Sequence, residues 1–289
     1  MRRWYAMVLM ALIFLGGVCL VWDAAPARAE SENEATEVEH GKLGTADATP
    51  VDPGHVELEF GYSYAWSRRG WDPAGHATGR SLDEEHALGL SVTVGVVENL
   101  DVGFGLDYLW LHDEESDGPK RGRSIGDLAL GGRYRFYQNE AFKLEIAFIS
   151  GFSVPTGSPT DRDDLGTSQE FWSWDNSVAL SKDWDRWTAN AELGYSLPFG
   201  EKRGEARGTL IANMAVGYQL LSWLQPEVEL GYFRDYFESD EGGETLALTA
   251  GLVMPISDRL RVNVGVRQSL WGRNVDRTTA FMLAVKLAF

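Results

Sequence analysis

The chain has 289 residues, 43 Asp+Glu against 26 Lys+Arg for a formal net charge of −17, a single Cys, and 44% hydrophobic residues. That length allows one large domain or two ordinary ones; the acid surplus argues against a nucleic-acid binder, which needs clustered Lys/Arg to neutralise phosphates; and one Cys excludes a disulfide framework and any multi-cysteine metal site. A negative mean hydropathy argues against a bundle of transmembrane helices, whereas 11 Trp, 10 Tyr, 13 Phe and 32 Gly among only 10 Pro suit twisted strands.

The chain opens with Arg2-Arg3, runs almost continuously apolar from Tyr5 to Trp22, and places Ala27-Arg28-Ala29 before Glu30. A basic start, an apolar middle and small residues at −3 and −1 together predict a cleaved secretory signal over residues 1–29, in preference to a membrane anchor of similar length. Cys19 follows Gly16-Gly17-Val18 and sits inside the apolar run, which does not match a lipoprotein signal. The mature chain then has no Cys and a formal charge of −19, because Arg2, Arg3, Arg28 and one acid, Asp23, leave with the signal. Residues 30–53 are acidic with no apolar periodicity and are expected to be a flexible lead-in, with insertion into a barrel lumen as the alternative.

From His55 onward the pattern has period two. Val56, Leu58, Phe60, Tyr62, Tyr64 and Trp66 share one face of the first segment, with Glu57, Glu59, Gly61, Ser63, Ala65 and Ser67 on the other. The second segment sets His86, Leu88, Leu90, Val92, Val94 and Val96 against Ala87, Gly89, Ser91, Thr93 and Gly95; the third sets Leu100, Val102, Phe104, Leu106, Tyr108 and Trp110 against Asp101, Gly103, Gly105 and Asp107. Further strands are expected near 125–137, 141–154, 170–182, 187–199, 208–219, 224–237, 245–256, 260–271 and 277–289, twelve in all. Short joins near 97–99, 138–140, 183–186, 220–223 and 257–259 alternate with joins near 68–80, 113–124, 155–169, 200–207, 238–244 and 272–276, most of them longer and more polar. That asymmetry is the mark of an antiparallel up-and-down barrel with short periplasmic turns and longer outer loops.

A tilted strand needs about 9–11 residues to cross hydrocarbon, and each segment supplies them. Aromatic residues gather near strand ends (Tyr64/Trp66, Tyr108/Trp110, Tyr134/Phe136, Trp172/Trp174, Trp187, Phe199, Tyr236), as in interfacial girdles. In the final strand Phe281, Leu283, Val285, Leu287 and Phe289 occupy every second position, which resembles the C-terminal signal read by the outer-membrane barrel assembly machinery. Because every backbone group must be paired inside the bilayer, the sheet has to close, and the last strand must meet the first. Closure predicts that Lys286 lies beside Glu57 and Glu59. The expected fold is therefore all-β: a closed antiparallel transmembrane barrel of about twelve strands over residues 54–289.

The non-apolar face then lines the lumen. Toward the periplasmic half this places Glu57, Glu59, Asp101, Arg133, Arg135, Lys143, Glu145, Glu227, Glu229, Arg261 and Lys286, and higher up Asp107, Asp127, Asp175, Asn190, Glu192, Asn213, Asp235, Asn263 and Arg267. Mixed charges of this kind can hold a narrow interior together or form a constriction that selects solutes. Three acidic loop clusters, 114–117, 161–164 and 238–241, read as solvated charge: Asp161-x-Asp163 with Gly166 lacks the closing Glu of a calcium loop, since Trp172 stands there. Catalytic motifs are absent, and no metal or cofactor is expected. His86 falls on the apolar face, but Ser63 and Ser67 point inward, so no lipid-facing Ser/His pair of the phospholipase type forms.

The stretch Gly126-Asp127-Leu128-Ala129-Leu130-Gly131-Gly132-Arg133-Tyr134-Arg135-Phe136, with Pro155-Thr156-Gly157 and the Asp/Gly-bearing loop 161–166, resembles the outer-membrane proteins named for the MetA pathway of phenol degradation. The resemblance implies an outer-membrane barrel and a channel for aromatic or other small hydrophobic compounds, and no catalytic residues. The expected function is a passive channel for small solutes in the bacterial outer membrane. Its expected partners are membrane lipid, the barrel assembly machinery and a small-molecule solute. A non-conducting structural or adhesive barrel is the alternative, and an envelope enzyme a weaker one.

Overall fold

The computed structural model describes residues 43–115, 118–161, 164–200, 203, 206–238 and 242–289. Its strands are β1 (Val56–Trp71), β2 (Ala77–Val97), β3 (Leu100–Glu115), β4 (Gly118–Ile125), β5 (Leu128–Asn139), β6 (Leu144–Val154), β7 (Trp172–Trp184), β8 (Trp187–Phe199), β9 (Ala206–Tyr218), β10 (Gln225–Phe237), β11 (Glu244–Ser257), β12 (Leu260–Arg273), β13 (Val275–Asp276) and β14 (Thr279–Ala288). Every pairing between them is antiparallel. The sheet closes because β1 pairs with both β2 and β14.

Fourteen segments make twelve staves, because two staves are interrupted. β4 and β5 both pair with β3, one above the other, with a break at Gly126-Asp127. β13 and β14 likewise both pair with β1. The seam reaches the last residue: Phe289 N–H donates to the Val56 carbonyl at 2.9 Å, and Val56 N–H donates back to the Phe289 carbonyl at 3.1 Å.

Two of the expected long joins are hairpins. β1 and β2 stay paired as far as Trp71 and Ala77, so the join expected at 68–80 is only the turn 72–76. The join expected at 113–124 is largely the β3–β4 ribbon. The residues of these ribbons are mostly charged, polar or glycine, so pairing continues where period-two hydropathy no longer marks it.

The exterior is the apolar face. Phe60, Leu90, Val102, Leu130, Phe148, Val178, Leu193, Met214 and Val228 are exposed along the staves, and Trp172, Trp174, Trp187, Tyr134 and Phe136 are exposed toward their ends. This band and its girdles are those of a barrel surrounded by lipid. Buried positions on the alternate face are mainly small, polar or charged.

Candidate functional site

The lumen is built from cross-strand rows. At the turn end, Glu59 pairs with Lys286 and Lys286 with Arg261. The Lys286 ammonium lies 3.6 Å from Glu57 Oε2 and 3.4 Å from Glu59 Oε2, which is the contact that closure predicted. Two staves on from β1, Asp101 pairs with Arg133 in the ladder, and Arg133 Nε and Nη2 both donate to Asp101 Oδ2, at 3.1 and 2.5 Å, with only 1% of Arg133 exposed. Arg135 pairs with Glu145 at 2.7 Å and is partly exposed. Arg267 lies over the Phe233 ring, 4.7 Å from its centroid, and Asp107 is buried.

Lys143 departs from the expectation. It is exposed in the turn before β6, with a φ of +46°, and does not line the lumen. Around a bulge between Arg135 and Tyr137 the pairing runs on to Asn139 opposite Leu144, so the turn is 140–143, not 138–140, and β6 starts at Leu144, three residues after the expected 141.

The N-terminal segment also departs from the expectation of a flexible lead-in. Residues 43–51 cross the inside of the barrel, and Leu43, Thr45, Ala46, Asp47, Ala48 and Val51 are buried there. Their backbone is held by wall side chains in sequence. Leu43 N–H donates to Glu227 at 2.7 Å, and Gly44 and Thr45 N–H both donate to Glu229 Oε1 at 2.7 and 3.0 Å. Ala46 O accepts from Asn190 at 3.3 Å, and Asp47 O accepts from Arg133 at 3.1 Å. Ala48 N–H donates to Ser181, Thr49 Oγ1 to Glu145 at 2.5 Å, and Val51 N–H to Asp101 at 2.9 Å. Ala46 and Ala48 pack on Ala147, Ile149 and Ala179, side chains short enough to leave the segment its room. A turn at 52–55 with Gly54 at φ +80° then delivers the chain into β1. Here the carbonyls of Val51 and Asp52 pass directly over Gly95, where any Cβ would collide with them.

A second inward element comes from the loop end. Thr167 and Ser168 of the 155–171 loop are buried. Asp127, in the break between β4 and β5, accepts from Gly157 N–H at 3.0 Å and from Gln169 N–H at 2.8 Å. Thr156 and Thr167 hydroxyls donate to the carbonyls of Gly126 and Ile125, at 3.0 and 2.7 Å. Asp127 is thus a loop anchor.

Between this loop and the crossing segment lies a cavity with about 1270 Å³ of free space, counting its opening to solvent. Ala46 lines it from the crossing segment, Ser168, Gln169 and Phe171 from the loop, and β5 to β10 form its wall. Its size follows from wall residues with little side chain, among them Ala129, Gly151, Ser153, Ser177 and Gly208.

Sequence reasoning missed Glu85, buried on the lumen face, and Gln225, which is fully buried and donates to Glu227 Oε2 at 3.0 Å. Extending the β2 parity one step below His86 would have found Glu85. His86 itself faces outward, with Nδ1 2.9 Å from the Tyr62 hydroxyl and its ring stacked on Tyr64 at 4.5 Å. Of the acidic loop clusters, positions 116–117, 162–163 and 239–241 lie outside the described residues; among the described residues no group of three His, Cys, Asp or Glu could hold a metal ion.

A closed twelve-stave sheet with an apolar outer band, two aromatic girdles and a polar interior defines an outer-membrane β-barrel protein. The chain belongs to the family described as the MetA-pathway of phenol degradation, whose model matches residues 77–286. An outer membrane channel from Pseudomonas putida F1 superposes with a TM-score of 0.75 at 15% identity, over 86% of this chain and 100% of that chain. The KdgM porin in complex with disordered oligogalacturonate gives a TM-score of 0.48 at 11% identity, over 81% and 99% of the two chains. The translocator domain of the autotransporter NalP from Neisseria meningitidis gives 0.47 at 13% identity, over 82% and 90%. No curated protein sequence matches the chain.

Proposed function

We propose that the protein is a passive channel of the bacterial outer membrane for small solutes, closed at rest by residues 43–53. The observation that carries this reading is the way the lumen is filled. A barrel serving only as a structural element can close its interior with interlocking wall side chains, as small barrels do. This lumen instead holds a cavity above a single peptide segment. That segment is attached mainly by hydrogen bonds between its backbone and wall side chains, with Leu43, Ala46, Ala48 and Val51 as its buried apolar contacts.

In this reading the signal at 1–29 directs export, the assembly machinery recognises the strand ending at Phe289, and the band of exposed apolar residues contacts lipid. Glu57, Glu59, Asp101, Arg133, Arg261 and Lys286 fix the inner wall as ion pairs. Arg135, Glu145, Glu227 and Glu229 meet the path once the segment moves, and Asp107 and Arg267 border it higher up. Glu57, Arg133 and Lys286 are the least suited to selecting solutes, because each is buried and neutralised by a neighbour. The apolar share of the cavity wall and the family membership support a solute with apolar character.

The test is single-channel recording of the refolded mature chain in a planar bilayer, with and without residues 30–52. Deleting the segment should raise conductance severalfold. If neither form opens above background, the channel reading is wrong and a structural or adhesive barrel takes its place.

A further inference from the structure

The cavity between the 155–171 loop and the crossing segment carries an unequal set of charges. Three carboxylates, Asp175, Glu192 and Asp235, line it, and no Lys, Arg or His does among the described residues. Two of the three are satisfied by the protein. Asp175 accepts the hydroxyls of Ser153 and Ser173, at 3.3 and 3.2 Å. Glu192 accepts from the Asn213 amide at 2.9 Å.

Asp235 differs. One of its oxygens accepts the Thr209 hydroxyl at 2.5 Å, while the other, Oδ2, is buried with no hydrogen-bond partner in a residue only 4% exposed. A buried carboxylate oxygen with an open valence is costly and calls for a donor. Cross-strand register places Asp235 at one end of a polar row along the cavity wall. Asp235 pairs with Thr209, Thr209 with Ser196, Ser196 with Asp175, and Asp175 with Gly151, so this side of the cavity is one row ending in a residue without a side chain. Apolar surface flanks the row at Phe171, Phe237, Ile149 and Ile211.

We propose that this cavity binds a compact organic cation, a protonated amine on an apolar body, with Asp235 as its anionic partner. The proposal rests on the channel reading for its physiological meaning and gives that channel its solute class. An ammonium supplies both the donor and the charge that the wall lacks, and the apolar body occupies the Phe171/Phe237 side, where ring faces also attract cations. A carboxylate solute would face three like charges with no base to offset them. An inorganic divalent cation is a poor occupant, because it needs six or more oxygens at short range, and no cluster of three ligating residues exists among the described residues. The chain's charge of −17 adds a long-range field that concentrates cations at the mouth.

The experiment is calorimetric titration of the refolded mature protein in detergent micelles with benzylamine, benzyl alcohol and benzoate, which share one apolar body and differ in the polar group. Heats into empty micelles are subtracted. Benzylamine should bind at least tenfold more tightly than benzyl alcohol, benzoate should show no binding, and Asp235→Asn should weaken benzylamine at least tenfold. Equal binding of the three compounds, binding of none, or an unchanged benzylamine affinity in the variant would each overturn the proposal. The series on the unsubstituted protein decides the matter even if the variant does not refold. Titration in micelles involves no conduction, so a failure of this site and a failure to form open channels are separate results.

Discussion

The crossing segment should be released by neutralising two carboxylates. Glu227 and Glu229 together accept three backbone N–H groups, those of Leu43, Gly44 and Thr45, at 2.7, 2.7 and 3.0 Å. All three bonds lie in a buried or partly buried setting, where solvent screens them little. A hydrogen bond to a charged group contributes about 1.5–3 kcal/mol and a neutral one about 0.5–1.5 kcal/mol. Replacing both acids by Gln keeps an acceptor at each position but removes the charge, a loss of about 1 kcal/mol per bond and about 3 kcal/mol in all. At 1.4 kcal/mol per factor of ten, the undocked population should rise about a hundredfold. The reporter is Ala48→Cys in the protein produced from residue 30 onward: Ala48 is fully buried, and residues 30–289 hold no other thiol. Labelling of the refolded barrel by a membrane-impermeant maleimide then measures opening. The Glu227→Gln/Glu229→Gln form should label about a hundredfold faster than its parent at the same pH. If the two rates agree within about threefold while both barrels migrate as folded species on unheated gels, the carboxylates do not hold the segment and the docking energy lies elsewhere.

Lys286→Met should cost about 3–5 kcal/mol in urea unfolding, because it removes the cation in direct contact with the buried Glu57 and Glu59. Adding Glu57→Gln and Glu59→Gln should restore most of that loss, and a triple variant no more stable than the single one would show the pair to be irrelevant. In the form lacking residues 30–52, Arg135→Glu should shift the reversal potential in a salt gradient toward cations, whereas an unchanged potential removes Arg135 from the path. At the exposed 72–76 turn, the His76 and Ala74 N–H groups hold the Asp72 carboxyl below its ordinary value of 3.8. Because the folded value is the lower one, the turn gains its order above the unfolded value and loses it as pH falls through the folded value. A carboxyl titration by NMR in micelles should place the Asp72 midpoint below 3.8, and a midpoint at or above it would contradict the capping geometry.

The staves were legible because lipid outside and water inside force a strict alternation. Val56 to Trp66 and Phe281 to Phe289 need no structure to be assigned, and closure then placed Lys286 beside Glu57 and Glu59. The ribbons above the girdle were not legible: residues 68–71 and 77–83 are mostly charged, polar or glycine, with Trp71 the large apolar side chain buried there, so backbone pairing leaves no period-two hydropathy trace. The crossing segment was opaque for a related reason. Its bonds use main-chain N–H and C=O groups, which every residue has, so Leu43-Gly44-Thr45-Ala46 carries no side-chain signature of what holds it. The signal lay instead in the receiving wall, where Glu227 and Glu229 face inward with no adjacent base in the strand pattern. The Gly126-Asp127-Leu128 and Pro155-Thr156-Gly157 stretches, noticed separately as a resemblance, are one structural unit: the Asp127 carboxylate accepts the Gly157 N–H.

That division of labour also explains how one lumen can contain both ion pairs and lone carboxylates. At the seam and beside Arg133, each buried acid faces a base fixed in the ladder, so the charge is neutralised by the wall whatever fills the lumen. At Glu227 and Glu229 the partner is a peptide, and at Asp235 one oxygen has no partner among the described residues. A buried charge neutralised by the wall stabilises a rigid element, whereas one whose partner is mobile couples its own burial to the arrival of that partner. In the proposed channel, Glu227, Glu229 and Asp235, which neither a fixed base nor a full set of wall hydroxyls and amides neutralises, are therefore the positions placed to exchange what they hold.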